Sequence, residues 1–269
     1  MLICTCPRFV VAGSQRPEEA HLVDPLPESL IANDVGYTSC IAVRREPLFA
    51  AGGFDERLGI AEDSDLWARL SLLGPFGYVA CRTLVHRRAA SSLSVSAHRS
   101  GEYMRSIMLS AERVLADVEQ MRAARERGLL EPARAAVHFA RALDAIARRD
   151  AAAARRELAR ACRLMPQLSS LPDLVFGRVM QTVTEDAEPL ESFSAAAALW
   201  PDPGSDTALT LRAYAVSRAM RAGQLRRAGR LAAAGPLLFR PRLVRLILPA
   251  AVRQARRRVA DRRTSSGAP

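Results

Sequence analysis

The chain of 269 residues is 49% apolar and 25% charged, which is enough apolar sequence to bury a core and excludes wholesale disorder. Its formal charge is +11, and all 39 cationic residues are arginine. The excess is local, since residues 201–269 hold 15 arginines against 3 acidic residues, whereas residues 1–100 hold 10 against 11. This distribution excludes a uniformly basic nucleic-acid-binding protein and indicates a basic tail on a near-neutral body.

The cysteines and the lack of long apolar segments indicate the compartment. The five cysteines are scattered and include no Cys-x-x-Cys pair, so we expect reduced thiols and no disulfide framework. The first residues lack the charged start and apolar run of a signal peptide. No stretch approaches the ~20 consecutive apolar residues of a membrane-spanning helix. These features predict a cytoplasmic protein, either free in solution or peripheral to the inner face of the membrane.

In residues 1–100, proline and glycine interrupt the chain every few residues, with short apolar runs between them. Short strands that alternate with short helices are typical of an α/β fold. From residue 101 onward, alanine, arginine and leucine recur at helical spacing. We therefore predict three regions: an α/β domain over residues 1–100, a helical region over 101–200 and a basic helical tail over 201–269.

The most informative segment, residues 52–70, opens with the sequence Gly-Gly-Phe-Asp-Glu. A glycine pair permits a sharp turn whose backbone can approach a ligand. A loop with three carboxylates in four positions follows, and then a predicted helix in which Trp67 is expected to belong to the core. Helix capping by Asp63 or Ser64 explains one or two of these acidic residues, but it does not explain the Gly-Gly-Phe-Asp-Glu sequence before them.

Taken together, residues 30–100 resemble the acceptor half of family 2 glycosyltransferases, which have the GT-A fold. That half typically combines an arginine pair, Gly-Gly-Phe-Asp-Glu, the start of a helix with the sequence Glu-Asp-x-Asp-Leu-Trp-x-Arg-Leu, and a final Arg-x-His and Ser-Leu-Ser. The matching residues are Arg44, Arg45, Phe49, Gly52 to Glu56, Glu62, Asp63, Asp65, Leu66, Trp67, Arg69, Leu70, Gly74, Arg87, Ser92, Leu93 and Ser94. The resemblance implies a partial α/β, Rossmann-like nucleotide-diphospho-sugar transferase lobe, followed here by an all-α region.

The same resemblance implies an inverting transfer of a sugar from a nucleotide-sugar donor to the hydroxyl of a glycan or lipid-linked acceptor, as in the synthesis of cell-surface polysaccharides. In the family, the aspartate that Asp63 matches is the general base that removes the acceptor's proton. We expect neighbouring carboxylates to raise the proton affinity of Asp63. The residues expected to contact substrate are Gly52, Gly53, Asp55, Glu62, Asp65 and Arg87.

Two departures from the family pattern limit this prediction. The family binds a divalent cation, Mg²⁺ or Mn²⁺, through an Asp-x-Asp motif in a donor-binding half. Here no Asp-x-Asp motif precedes Asp63, since Asp24 and Asp34 are isolated aspartates. The family's histidine would fall at Ala89. The sequence therefore resembles a truncated, split or degenerate enzyme, and we expect the chain to be inactive alone. The alternative is a non-catalytic helical interaction or membrane-surface module on a vestigial transferase lobe.

The alanine-rich zone predicts a pair of helices, from about residue 132 to 149 and from about residue 151 to 165. Asp150 is placed to cap the second helix, and Pro166 to end it. Residues at the spacing of the second helix of a tetratricopeptide repeat are Ala154, Leu158 and Ala161. The alternatives are one such repeat and an ordinary helical hairpin that packs through small side chains.

The basic tail is concentrated in residues 235–263, where leucine, valine and isoleucine interleave with arginine. An apolar helix face bordered by cations suits binding to an anionic membrane surface. The alternative is a helix that packs on the core and is followed by a solvated arginine tail. Because Phe239 is the last aromatic residue, no later residue can stack on bases, and we expect no binding to nucleic acid.

Overall fold

The computed structural model describes residues 2–4, 21–31, 35, 38–78, 93, 97, 100–172, 175, 178–179, 189–221, 223–233 and 247. Four short strands form a small mixed sheet in the order β2-β4-β1-β3, in which β1 runs parallel to β4 and the other pairs are antiparallel. Their bounds are β1 Leu2–Cys4, β2 His21–Val23, β3 Ile41–Ala42 and β4 Phe76–Tyr78. Each strand has only two or three residues.

Helices make up most of the described residues. The helices that precede the alanine-rich zone are α1 (Glu28–Ile31), α2 (Arg45–Ala50), α3 (Glu62–Leu73), α4 (Glu102–Gln120) and α5 (Arg122–Glu126). The later helices are α6 (Leu130–Ala147), α7 (Ala151–Leu164), α8 (Pro189–Leu199), α9 (Asp206–Arg221) and α10 (Leu225–Ala233). Short 3₁₀ helices cover Thr38–Cys40 and Pro166–Ser169.

The predicted fold class is wrong, because the described part of the chain is mostly helical and holds no sheet of the size that an α/β, Rossmann-like lobe requires. The apolar run at residues 40–43 supplies only the two-residue strand β3, and of the run at 78–80 the structure describes only Tyr78, at the end of β4. Among the described glycines, Gly52 and Gly53 form the turn after α2, and Gly74 is the C-cap of α3. The same local pattern is therefore compatible with short helices and loops, and the sequence does not distinguish the two.

Helix α3 joins the first hundred residues to the helical core. Its residues Ala68 and Leu72 belong to the large buried cluster that continues through α4, α6, α7, α8 and α9. Its other side buries Leu66, Trp67 and Leu70 in a second cluster with Phe76. The prediction that Trp67 is a core residue is confirmed, since the side chain is 2% exposed.

The helical hairpin of α6 and α7 is confirmed at the residues that predicted it. The Asp150 carboxylate accepts a hydrogen bond from the Ala153 backbone N–H at 2.9 Å, so it caps α7 as expected. Helix α7 ends at Leu164, and Pro166 begins the 3₁₀ helix that follows. The buried face of α7 consists of Ala154, Leu158 and Ala161. These small side chains let the two helices pack closely.

The predicted boundaries at residues 100 and 200 stay a prediction, and one buried cluster draws on residues from all three regions, from Leu26 to Ile247. Apart from Ile247, the basic segment 235–263 lies outside the described residues. Among the helices of the described part, none has the length and hydropathy that a membrane span requires.

Candidate functional site

The Gly-Gly turn follows directly from the end of helix α2. Gly52 and Gly53 have φ angles of +78° and +65°, in the left-handed region that favours glycine. Their backbone N–H groups donate to the carbonyl oxygens of Phe49 (2.9 Å) and Leu48 (3.0 Å), which satisfies the end of the helix. A Cβ at Gly53 would meet nothing within 4 Å, so the backbone conformation, and not lack of space, is what favours glycine there.

A buried ion pair holds this turn against helix α3. Arg69 donates to Asp65 Oδ2 from Nε (2.9 Å) and from Nη2 (2.6 Å), and both side chains are almost fully buried. The same guanidinium donates to the carbonyl oxygen of Gly53 at 2.8 Å and to that of Ala51. Asp65 and Arg69 therefore fix the turn through its backbone, and Asp65 is a structural residue, not a free substrate ligand.

Asp55 also forms ion pairs, in this case with two arginines. Its Oδ2 lies 2.7 Å from Arg57 Nη2 and 2.5 Å from Arg113 Nη1. The hydrogen bond from the Arg57 side chain, aided by the charge of Arg113, holds the pKa of Asp55 well below its usual range, against the effect of burial. This carboxylate is therefore ionised at any physiological pH, and it joins the turn to helix α4 through Arg113.

Asp63 lies in the first turn of helix α3, where its environment differs from that of Asp55 and Asp65. Its Oδ1 accepts from the Ser64 backbone N–H at 2.6 Å, and its Oδ2 accepts from Thr38 Oγ1 at 3.4 Å, a long and weak contact. Burial raises the pKa of Asp63, and the hydrogen bonds from Ser64 and Thr38 only partly oppose that effect. The pKa is raised as expected, but the main cause is burial and not the neighbouring carboxylates.

The start of helix α3 also differs from the prediction. The N-cap is Ala61 and not Asp63 or Ser64, and Ala61 has the left-handed φ of 61° that is uncommon for a residue with a side chain. Glu62, the first residue of α3, is half-buried. Within the described part of the chain, its carboxylate makes no hydrogen bond or ion pair. Strained backbone of this kind is often found beside functional residues.

The structure brings six of the predicted residues into one connected region. Gly52, Gly53, Asp55 and Asp65 are joined by the arginine network, and Glu62 lies with Asp63 in the first turn of α3. Arg87, the remaining predicted residue, lies outside the described residues.

Sequence reasoning missed two residues that contact this region. Thr38 and Arg113 lie outside residues 52–70, and Arg113 is 58 positions away from its partner Asp55. Because these contacts depend on tertiary packing, no local pattern indicates them. Arginines on amphipathic helices are common, so the position of Arg113 in such a helix does not identify it as a residue of the site.

A cavity of about 20 Å³ lies between helices α1, α3, α4 and α6. Its polar lining consists of Ser29, Ser64, Ser110 and Arg178, and the other lining residues are apolar. This volume suits a water molecule and is far below that of a sugar-binding pocket. Within the part of the chain that the structure describes, no group of three or more His, Cys, Asp or Glu side chains is placed to hold a metal ion. The expected divalent cation stays a prediction, and we assign it no step.

Comparison with known proteins gives no relative. No protein-family model, no curated protein and no solved structure matches this chain.

Proposed function

We propose that this chain provides the acceptor side of an inverting glycosyl transfer, with Asp63 as the general base. The observation that carries the proposal is the contrast among three neighbouring aspartates. Asp55 and Asp65 are tied into ion pairs with arginine, whereas Asp63 is half-buried and has a raised pKa, and among the described residues its Oδ2 accepts a hydrogen bond only from Thr38, at 3.4 Å. A carboxylate in that state is suited to accept a proton.

In the proposed reaction, Asp63 Oδ2 takes the proton of the acceptor hydroxyl. The oxygen's electron pair then attacks the anomeric carbon of the nucleotide-sugar from the face opposite the leaving group. The bond from that carbon to the diphosphate oxygen breaks, and the nucleoside diphosphate leaves with the electron pair. Glu62, beside Asp63, contacts the acceptor in this proposal. The proposal rests on this site and on the resemblance of residues 30–100, not on the fold.

The test adds the chain to a membrane extract, which supplies acceptors and the donor-binding half that the chain is expected to need, and measures transfer of labelled sugar from uridine and guanosine diphosphate-sugars with Mn²⁺. We expect Asp63→Asn to lower the rate by roughly 10²–10⁴-fold, the usual contribution of a general base. The variant should fold, because burial penalises the charged form that the asparagine removes. Glu46→Gln is the matched control, since it removes an exposed carboxylate from helix α2. Wild-type transfer by Asp63→Asn would refute the assignment.

A second proposal, a non-catalytic helical module at a membrane surface, is favoured by the mostly helical structure. Its attachment would use the arginines of residues 235–263. Sedimentation with phosphatidylglycerol vesicles tests it, and we expect binding that weakens with salt and is absent with phosphatidylcholine alone. Equal binding to both vesicles, or none to either, would contradict attachment by charge. Calorimetric binding of a nucleotide-sugar would favour the first proposal over this one.

A further inference from the structure

Helix α4 lies against the candidate site although it is outside the segment that resembles a transferase. Its residue Arg113 places Nη1 2.5 Å from Asp55 Oδ2 and 3.6 Å from Asp65 Oδ2. Asp55 belongs to the loop after the Gly-Gly turn, and Asp65 belongs to helix α3. One guanidinium therefore lies between the two structural aspartates that flank Asp63 in the chain.

Arg113 also lies close to the turn itself. A Cβ added at Gly52 would be 3.9 Å from Arg113 Nη2, in ordinary van der Waals contact. Arg113 is 29% exposed, whereas Arg57, the other partner of Asp55, is 77% exposed. The Arg57 backbone N–H also donates to Asp55 Oδ1 at 3.0 Å, but this contact lies within the loop itself. Because an exposed ion pair contributes little to holding a geometry, Arg113 is the arginine that ties Asp55 to another element.

The beginning of the same helix contacts the loop that leads to Asp63. Glu102 Oε1 would lie 2.8 Å from a Cβ at Gly59, so the loop backbone packs closely on the first turn of α4. Tyr103 packs against the buried cluster of Ala61, Ile107 and Ala140. The charge of Asp63 also contributes to raising the pKa of Tyr103, although burial is the main cause. Helix α4 thus supports the loop at two separate points, near Gly52 and near Ala61.

We propose that Arg113 is a positioning residue for the acceptor site, which it maintains by holding Asp55 and the Gly-Gly turn against helix α3. This inference rests on the proposed function, since it assigns the turn to acceptor binding. Arg113 acts through Asp55 and Asp65 and does not contact Asp63 in the described structure. Its loss should therefore affect the binding of the acceptor more than the proton transfer.

The experiment compares Arg113→Gln, Arg113→Lys and Arg141→Gln in the full chain. Arg141→Gln is the matched control, because Arg141 pairs at 2.8 Å with Glu112, the neighbour of Arg113 on helix α4, in a pair that is half exposed. The first measurement is hydrogen exchange in the free protein. We expect the amides of residues 52–66 to exchange about tenfold faster in Arg113→Gln, with no change at the α6–α7 hairpin. In Arg141→Gln, residues 52–66 should exchange as in the wild type.

The second measurement is transfer kinetics with the membrane-extract acceptor. We expect Arg113→Gln to raise KM for the acceptor about tenfold with kcat nearly unchanged, and Arg113→Lys to recover part of the loss. A variant that merely misfolds would lower kcat in proportion to the folded fraction and leave KM unchanged. That result, or wild-type exchange at residues 52–66, would overturn the inference. Failure of the proposed function is recognised separately, by wild-type turnover in Asp63→Asn.

Discussion

At the scale of single residues, the same side-chain type has different roles within eleven positions of the chain. Asp55 and Asp65 pair with arginine side chains, whereas burial raises the pKa of Asp63. Arginine charges lower the pKa of a carboxylate, and burial without such charges raises it. The ion pairs thus commit Asp55 and Asp65 to holding the turn, and the different environment of Asp63 supports its proposed role as a base.

The first prediction concerns the stability that Asp55 provides. Because the pKa of Asp55 is lower in the folded chain than in the unfolded one, its contribution is present above the unfolded value of about 3.9 and is lost as pH falls through the folded value. We expect Asp55→Asn to lower Tm by a few degrees at pH 7, and the difference from the wild type to shrink below about pH 4. Thermal unfolding over this pH range is the measurement. A difference that grows on acidification would contradict the prediction.

The second prediction concerns the pH dependence of transfer. The base must be ionised, so activity falls as pH drops through the pKa of Asp63, which burial raises above its ordinary value. The Thr38 hydroxyl lowers that pKa by donating to Oδ2. We therefore expect Thr38→Val to move the acid limb of kcat/KM to higher pH. Thr38→Ser, which keeps the hydroxyl, is the control, and a limb that moves to lower pH would be inconsistent with Asp63 as the base.

At the scale of secondary-structure elements, the hairpin of α6 and α7 shows what local sequence determines. Helix capping and the spacing of small residues act within one or two turns, so Asp150 and the buried face of α7 were predicted from the sequence alone. The structural residues around Asp63 were predicted only in part, because the sequence identifies Asp55 and Asp65 but not their partner Arg113. The contact between Asp55 and Arg113 spans 58 positions and depends on how helix α4 packs.

The third prediction tests the helix cap of α7. Asp150→Ala removes the hydrogen bond to the Ala153 N–H, and we expect it to lower the free energy of unfolding by about 1 kcal/mol. Asp150→Asn keeps a capping oxygen and should cost much less. Arg155→Ala, at an exposed position of the same helix, is the control. Urea denaturation gives the values, and equal stability of Asp150→Ala and wild type would show that the cap is not formed.

At the scale of the whole molecule, the predicted α/β lobe was wrong for a physical reason. Proline and glycine show where the chain is interrupted, but they do not show whether the intervening residues pair as strands. Within the described residues, pairing is limited to strands of two or three residues, and helix α3 instead packs on a helical core. Composition indicated a buried core, and the helical spacing of alanine, arginine and leucine indicated helices after residue 100. The described residues contain that core and helices as far as Ala233.

The uneven distribution of arginine along the chain is also a property of the whole molecule. The described site balances its acidic residues with buried or half-buried arginines, whereas the excess of arginine lies after residue 200. The network around Asp63 therefore involves the near-neutral part of the chain, and we expect the proposed attachment to an anionic surface and the proposed catalysis to be separable. Replacement of Arg253, Arg256, Arg257 and Arg258 with glutamine, which keeps Ile247 of the buried cluster, tests this separation. We expect it to abolish vesicle binding while preserving the hydrogen-exchange pattern of residues 52–66. Altered exchange there would show that the tail supports the site.

The claim that Asp63 is a general base is tested most directly by chemical rescue. Asp63→Ala removes the carboxylate and leaves space at the first turn of helix α3, where added formate can act as the base. We predict that Asp63→Ala transfers sugar at a small fraction of the wild-type rate, that formate increases this rate in a concentration-dependent way, and that formate leaves the wild type unchanged. A wild-type rate in Asp63→Ala without formate would contradict the account.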